Sequence, residues 1–403
     1  MSAPALQNYA RRIFEVFMGP VNIDTTGFST VFFGCVLLVF FIYIITYVVA
    51  LNNLQQSECT RANKMYPSVN GYIRSLPKKF YDRPLRDFYI FTAYNACSGG
   101  EYRNDYVDTC HLSAVISQGV RAFDLEIYSI RDQPVVATST DIKNLHVKET
   151  YNSLSLANAI RVIKNGCFSG QYCPNPADPV ILHLRVKSTN DKMFANMVHI
   201  FRDPEFIDYF LNPEFSYDGQ NIKELEKDQY HTGIGNGVGA WDMPVRNFLG
   251  KILTIFDITQ SQSFSDNPAL MEFVNMKSGT PEFHIKTNYD VSSTTDTDEL
   301  TEYNRNYVTI VTPDIGTSPD NPNGSFARSL GCQMVASRFQ SADSNLRQEI
   351  EFFQDSNQGL VCKPDVLCSV KPPSTTTNTP ASLGTCKYTP KTIQITPKWS
   401  IEV

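Results

Sequence analysis

The segment GVRAFDLEIYS, residues 119–129, indicates the fold more directly than any other stretch of this sequence. It has the apolar character of a strand that is buried on both faces, as in a sheet covered by helices. Asp124 and Glu126 lie two positions apart within it, so their side chains point to the same side of the strand. The pair therefore predicts either a ligand site or a salt-bridge network, and spacing alone does not separate the two.

Other apolar stretches of strand length surround this segment, and helical patterns alternate with them. The predicted strands are 88–94, 119–128, 134–138, 179–186, 251–258, 283–287, 307–313 and 332–339. The predicted helices are 112–118, 155–165, 192–201 and 346–353. Such alternation over about 250 residues favours an α/β fold of the distorted TIM (β/α)8 type.

Functional sites of such barrels form at the C-terminal ends of the strands. Asp124 and Glu126 are predicted to lie at this end, and Asn95 directly follows another strand. An amide and two carboxylates are hard oxygen ligands, which suit Ca²⁺ or Mg²⁺. These three residues are therefore the candidate metal ligands.

A long apolar run precedes the barrel. Residues 31–51 read VFFGCVLLVFFIYIITYVVAL, and no charged residue occurs from Thr25 to Gln56. Twenty-one helical residues are about 31 Å long, which matches the hydrocarbon core of a bilayer. A cleaved signal peptide is the alternative, but the run is too long and no small-residue cleavage site follows it. We therefore predict a helix that spans the bilayer.

The chain accordingly divides into five predicted parts. These are a leader at 1–27, a transmembrane helix at 28–52, a stalk at 53–84, a barrel at 85–355 and a tail containing Cys, Pro and Thr at 356–403. Within the barrel, the stretch 261–304 is rich in Ser, Thr and Asp and is predicted to be an exposed linker between two half-barrels.

Charge and cysteine content indicate which partners the protein binds and in which compartment its C-terminal domain lies. The net charge of −6 argues against nucleic-acid binding, which needs a surplus of Lys and Arg. Positive charges after the apolar run favour a cytosolic C-terminal domain. The nine cysteines that follow it favour the opposite side, since the close pairs Cys167/Cys173 and Cys362/Cys368 suit disulfides. We prefer a single-pass protein whose C-terminal domain lies in an oxidising lumen, outside the cell or on a virion.

Six short motifs, in order over residues 84–343, resemble the catalytic barrel of the phosphoinositide-specific phospholipases C. They are PLRDFYIFTAYNACSGG (84–100), GVRAFDLEIYS (119–129), PVVATST (134–140), PVILHLRV (179–186), NFLGKILTI (247–255) and SLGCQMVASRFQSAD (329–343). The resemblance implies a distorted TIM barrel with X and Y halves, joined near 261–304. It also implies a phosphodiesterase that uses two histidines and a bound Ca²⁺.

Several residues depart from the family pattern. The two histidine positions fall on Tyr94 and Thr138, and Thr254 stands where a phosphate-binding lysine is expected. The family's metal ligands correspond to Asn95, Asp124 and Glu126, but its last carboxylate ligand falls on Arg185. Arg185 can therefore replace Ca²⁺ as a fixed positive charge. His183 and His146 are the candidates for a relocated base, and the alternative for each is a structural histidine.

These substitutions favour a membrane-anchored barrel that has lost catalysis and acts as a binding or structural protein, including a virion or surface component. Its expected partners are the bilayer through residues 28–52, an anionic phospholipid head group, and other membrane or capsid proteins. The alternative is an active phosphoric diester hydrolase, of phosphatidylinositol-phospholipase type, with a rearranged site. Losing one positioned acid or base costs about 10²–10⁴ in rate, so losing both histidines leaves little of the family mechanism.

Overall fold

The computed structural model describes residues 25–141, 144–217 and 239–369, and the backbone of two short strands at 392–396 and 399–402. The predicted leader up to residue 24 and the Pro/Thr-rich tract at 372–380 lie outside the described residues. The chain divides into two compact units, Met1–Cys368 and Ser369–Val403.

The helices of the first unit alternate with its strands. The helices are α1 (Thr25–Met65), α2 (Thr109–Ser117), α3 (Leu156–Cys167), α4 (Asp191–Phe201), α5 (Gly239–Asp242), α6 (Pro268–Met271), α7 (Asn288–Ser292), α8 (Thr297–Asn306), α9 (Gly324–Ser329) and α10 (Ser344–Asp355). The strands are β1 (Phe88–Ala93), β2 (Ala122–Ile130), β3 (Gln133–Val136), β4 (Leu154–Ser155), β5 (Val180–Lys187), β6 (Ile252–Asp257), β7 (Met276–Ser278), β8 (Phe283–Thr287), β9 (Val308–Thr312), β10 (Met334–Ser337) and β11 (Leu360–Cys362).

Eight parallel strands of the described residues form a nearly closed barrel, which confirms the predicted fold class. Their order is β7-β6-β5-β2-β1-β10-β9-β8. Alternate side chains of these strands point inward, where apolar groups fill the barrel. The interior includes Ile90, Ala122, Ile181, Leu253, Ile255, Met276, Phe283, Ile310, Met334 and Ala336. The helices cover the outer face, and polar N-caps such as Asp108 and Ser155 begin them.

All eight predicted strands are present, but two details of the prediction are wrong. The stretch 134–138 contributes β3, which pairs antiparallel with β2 and lies outside the barrel order. The stretch 261–304 is not an exposed linker, because it contains the barrel strands β7 and β8 and the helices α6, α7 and most of α8. Its polar composition reflects the exposed faces of α7 and α8.

The predicted local disulfides are also wrong. Cys167, Cys173, Cys362 and Cys368 are unpaired thiols. Cys167 and Cys173 are both buried, and the thiol of Cys173 donates a hydrogen bond to Asn175 Oδ1 at 3.1 Å. Buried cysteines commonly act as small apolar groups, so close spacing in sequence did not indicate pairing here.

The helix α1 is continuous from the apolar run into the domain. Its segment Val31–Leu51, with a mean hydropathy of 2.7, has the length and composition to cross a membrane. The predicted stalk begins as the last turns of this helix, which pack on the barrel. Among the described residues, one disulfide joins Cys59 of α1 to Cys110 of α2. The hydroxyl of Tyr66 donates a hydrogen bond to the Phe339 carbonyl at 2.8 Å.

The loops at the C-terminal ends of the strands lie on the side of the barrel that carries α1. Gln55 of α1 donates a hydrogen bond to the Asp108 carboxylate at 2.5 Å, in the loop after β1. Arg61 of α1 donates a hydrogen bond to the Gly99 carbonyl at 2.7 Å, in the same loop. The mouth of the barrel therefore lies beside α1, next to the residues that follow its apolar segment.

A buried carboxyl group attaches the chain after α1 to the barrel and predicts an unusual pH dependence. Asp178 Oδ1 accepts a hydrogen bond from the Leu76 amide at 2.7 Å, and its side chain is fully buried beside Arg121 and Asn175. Burial raises the pKa of Asp178 to about 6, although Arg121 and these hydrogen bonds oppose the shift.

We expect the contribution of Asp178 to stability to fall as pH rises through its shifted range. Its ordinary pKa of 3.8 rises on folding, so the native state binds the proton more tightly and the contribution declines from about pH 4 to about pH 6. Thermal unfolding of the wild type and Asp178→Asn across this range measures the effect. The difference between the two melting temperatures should change with pH, and a constant difference would contradict the prediction.

The second unit contains an antiparallel pair of strands, β12 (Thr392–Thr396) and β13 (Trp399–Glu402). They lie within the predicted tail at 356–403. Cys386, the last cysteine of the chain, lies outside the described residues.

Candidate functional site

The first element of the candidate site is the turn that follows β1. Asn95 has a backbone φ of 44°, in the left-handed region that asparagine tolerates better than most residues. Its amide donates a hydrogen bond to Asp124 Oδ1 at 3.2 Å. The turn thereby directs the Asn95 side chain into the mouth of the barrel.

The paired strands β2 and β5 carry the other four side chains of the candidate site. Asp124 is paired with His183, and Glu126 with Arg185, in parallel register. Paired residues of neighbouring parallel strands face the same side of a sheet, so all four side chains point into the barrel. The exposed fraction is 8% for Arg185 and at most 1% for the other three. Asp124 and Glu126 thus point to the same side of β2, as their spacing of two predicted.

The guanidinium of Arg185 is the centre of this arrangement. It donates hydrogen bonds to Asn95 Oδ1 at 2.7 Å, to Asp124 Oδ1 at 2.7 Å and to Glu126 Oε1 at 2.6 Å. Its Nε donates a further bond to Asp124 Oδ2 at 2.9 Å. It also stacks on the Tyr94 ring, 4.5 Å from the centroid. Arg185 thus contacts all three candidate metal ligands and one candidate catalytic position.

The electrostatics of the site follow from these contacts. Burial by itself raises the pKa of Asp124, but Arg185 and His183 outweigh it and lower the pKa to about 2. Burial likewise opposes the charge of Arg185, yet Asp124, with Tyr94 and Glu126, holds its pKa well above the ordinary value. Burial raises the pKa of Tyr94 above its ordinary value, against the effect of Arg185. Tyr94 is therefore a poorer base near neutral pH than a tyrosine in water.

His183 belongs to a hydrogen-bonded chain that sequence reasoning did not find. Its Nδ1 lies 2.7 Å from Asp124 Oδ2, and its Nε2 lies 2.8 Å from the hydroxyl of Ser278 in β7. Because a carboxylate only accepts, Nδ1 carries the proton and Nε2 accepts from Ser278. The connectivity is that of a Ser–His–Asp triad, but all three side chains are fully buried in the barrel. A substrate cannot approach Ser278, so this hydrogen-bonded chain of side chains orients Asp124 and has a structural role.

Ser278 was missed because it lies in the stretch that was predicted to be a linker. The other candidate positions do not join the cluster around Arg185. Thr138 is buried and donates a hydrogen bond to the Tyr102 carbonyl at 3.0 Å. His146 is exposed in the loop after β3. Thr254 faces the outer layer of the sheet, where its hydroxyl bonds the Phe273 carbonyl.

Comparison with known proteins matches this barrel to one family. The family model for "Phosphatidylinositol-specific phospholipase C, Y domain" matches residues 252–366. The barrel is divergent and phospholipase C-like. The matched range extends from β6 to the segment after β11 and includes both strands of the stretch predicted to be a linker.

Solved structures show the same fold. The crystal structure of L. pealei PLC21 has a TM-score of 0.51 and 14% identity, and the match covers 71% of this chain and 38% of that chain. S. officinalis PLC21 has a TM-score of 0.50 and 13% identity, with the same coverages of 71% and 38%. This chain therefore spans about two fifths of the length of either protein. No curated protein matches the sequence.

A calcium-dependent phosphoinositol-specific phospholipase C from a Pseudomonas species also matches, with a TM-score of 0.41 and 12% identity. That match covers 67% of this chain and 96% of that chain.

The donor set of the phospholipase C-like barrel does not fit a divalent cation. A Ca²⁺ ion needs six to eight oxygens at 2.3–2.6 Å. In this barrel the oxygens of Asn95, Asp124 and Glu126 each accept a hydrogen bond from the same guanidinium. The remaining oxygen of Glu126 accepts bonds from the Tyr128 hydroxyl at 2.7 Å and the Ser139 amide at 3.1 Å. Arg185 thus occupies the space that a cation would need.

Proposed function

We propose that this chain is a membrane-anchored, catalytically inactive phospholipase C-like protein with a binding or structural role. The contact of Arg185 with Asn95, Asp124 and Glu126 carries the proposal. In the related enzymes a bound cation lowers the pKa of the attacking hydroxyl and neutralises developing charge. A guanidinium supplies fixed charge, but it has no open coordination position for a substrate oxygen.

The residues at the family's general acid and base positions also support the proposal. Tyr94 and Thr138 stand at the family histidine positions, and neither group accepts a proton readily near neutral pH. His183 is a good base by type, but it is fully buried between Asp124 and Ser278. His146 is exposed and does not contact the cluster. The described residues thus offer no accessible base beside Arg185.

An activity assay on the full chain in vesicles tests the proposal. Phosphatidylinositol and a glycerophosphodiester are supplied as substrates, with and without Ca²⁺. We expect no turnover above that of Asp124→Asn, and Glu272→Gln serves as a control because this carboxylate is on the surface. Ca²⁺-dependent turnover that is lost in Asp124→Asn and kept in Glu272→Gln would instead support the rearranged phosphodiesterase.

We further propose that the segment Val31–Leu51 spans a bilayer and places the barrel in an oxidising setting. The apolar length of α1 and the disulfide between Cys59 and Cys110 support this orientation. We expect protease added to sealed microsomes to leave the barrel intact and to digest it after detergent is added. Digestion of the barrel in intact vesicles would place it on the cytosolic side.

We also propose that the barrel binds a partner protein in the same membrane or in a capsid. A barrel that holds no catalytic centre acts through its surface. Chemical cross-linking in the native membrane, followed by identification of the linked peptides, distinguishes a protein partner from an anionic phospholipid head group. Head-group binding would instead appear as retention on vesicles that contain phosphatidylinositol, with release at high salt.

A further inference from the structure

The junction between α1 and α2 contains a second cluster of chemically reactive side chains, which the arrangement around Arg185 does not use. The sulfur atoms of Cys59 and Cys110 and a ring nitrogen of His111 lie within 4.8 Å of one another. His111 is buried, whereas both cysteines are partly exposed. Cysteine sulfurs and imidazole nitrogens are typical zinc ligands, and the two sulfurs are joined here as a disulfide.

We propose that Cys59, Cys110 and His111 form a redox-dependent zinc site that holds α1 to α2 when the disulfide is reduced. A dithiol reductant transfers two electrons and two protons to the disulfide and itself becomes a disulfide. The two resulting thiols then bind Zn²⁺ with the imidazole and release two protons. Either form joins the same two helices, by a covalent bond or by coordination.

A buried carboxyl group beside the cluster also supports the assignment. Glu58 precedes Cys59 on α1 and is 5% exposed, and its Oε2 has no hydrogen-bond partner among the described residues. This oxygen and His111 Nε2 approach the same point, because a Cβ on Gly99 would lie 2.1 Å from Oε2 and 2.8 Å from Nε2. Carboxylates beside ligating histidines orient the imidazole ring and strengthen metal binding.

The space beside this cluster also suits a small occupant. A cavity of about 10 Å³ is lined by Glu58, Ser98, Gly99 and His111, among others. Such a volume holds about one water-sized group. The hydroxyl of Ser98 is buried and has no hydrogen-bond partner within the described part of the chain. One water there would bond these orphan groups, and the cavity borders the proposed site through His111.

The position of Cys110 suits a metal-bound sulfur. It lies in the first turn of the nine-residue helix α2, where the helix dipole stabilises negative charge. The partial exposure of both cysteines gives a reductant access to the bond.

The test uses the full chain in detergent micelles and Co²⁺ as a spectroscopic probe for zinc. The protein is reduced with a dithiol, freed of reductant without oxygen, and titrated with Co²⁺ and then Zn²⁺. We expect one Co²⁺ per reduced chain, with thiolate charge-transfer and tetrahedral d–d absorption that Zn²⁺ abolishes. The oxidised chain should give neither signal.

His111→Gln keeps both cysteines, so its fold can be verified in the disulfide form before reduction. We expect it to weaken Zn²⁺ binding by more than about 100-fold, because even the outer partners of metal ligands contribute about 10–100-fold. Cys362→Ser/Cys368→Ser removes the same number of thiols elsewhere and should bind Zn²⁺ like the wild type. Equal Co²⁺ spectra for reduced wild type and His111→Gln, or loss of the signal in the Cys362/Cys368 variant, would overturn the proposal.

Discussion

Replacing Arg185 with alanine is expected to lower the free energy of unfolding by about 3–5 kcal/mol, because removing one partner of a buried ion pair leaves an uncompensated charge. Asp124 and Glu126 are at most 1% exposed, and both lose their guanidinium contacts in this variant. Chemical unfolding of the full chain in micelles, at neutral pH and without divalent ions, measures the loss.

Arg202→Ala is the matched control for this experiment. Arg202 also bonds a carboxylate, Glu272, at 2.6 Å, but the two side chains are 49% and 44% exposed. Surface pairs of this kind contribute about 0–1 kcal/mol. If the two variants lose similar amounts of stability, Arg185 does not hold the site together as described.

The same variant tests whether Arg185 stands in place of a cation. Without the guanidinium, the oxygens of Asn95, Asp124 and Glu126 face a common space. We expect Ca²⁺ to restore part of the stability of Arg185→Ala and to leave the wild type unchanged, by binding to the folded state alone. The double variant Arg185→Ala/Asp124→Asn should not respond. Stabilisation of the wild type by Ca²⁺ would show instead that the cation competes with Arg185.

Removing the disulfide is expected to have a comparable effect. Cys59 and Cys110 are 51 residues apart, and chain entropy assigns a loop of that length about 4 kcal/mol. Cys59→Ser/Cys110→Ser should therefore unfold at lower denaturant under oxidising, metal-free conditions. Hydrogen exchange should accelerate in α2 and in the last turns of α1 more than in β2 and β5.

Cys362→Ser serves as the control for the disulfide experiment, since Cys362 is an unpaired thiol of intermediate burial. It removes one sulfur without opening a covalent loop, so we expect a smaller loss. Coincident unfolding midpoints for the two variants would mean that the disulfide does not stabilise the native state.

The features that the sequence predicted well are local or periodic. Asp124 and Glu126 could be placed on one side of their strand because a spacing of two fixes side-chain direction within a strand. Their contacts with His183 and Arg185 depend on the register in which β2 pairs with β5, which only the structure gives. The fold class followed in the same way from alternating strands and helices.

The features that were missed depend on distant parts of the chain. Cys59 pairs with Cys110 because α1 packs on α2, and no local spacing indicates this contact. Ser278 reaches His183 from β7, a strand of only three residues within a polar stretch. Cys167 and Cys173 show the reverse error, since proximity in sequence suggested a bond that their separate packing does not form.

The unbroken course of α1 bears on how the barrel is oriented. If Val31–Leu51 spans a bilayer as proposed, the unbroken helix, which rises about 1.5 Å per residue, sets both the height and the rotation of the barrel relative to that bilayer. Since the loop after β1 contacts α1 at Asp108 and Gly99, the proposed span turns that pole of the barrel toward the lipid. The opposite pole, at the N-terminal ends of the strands, is then the surface presented to soluble partners, and binding studies should begin there.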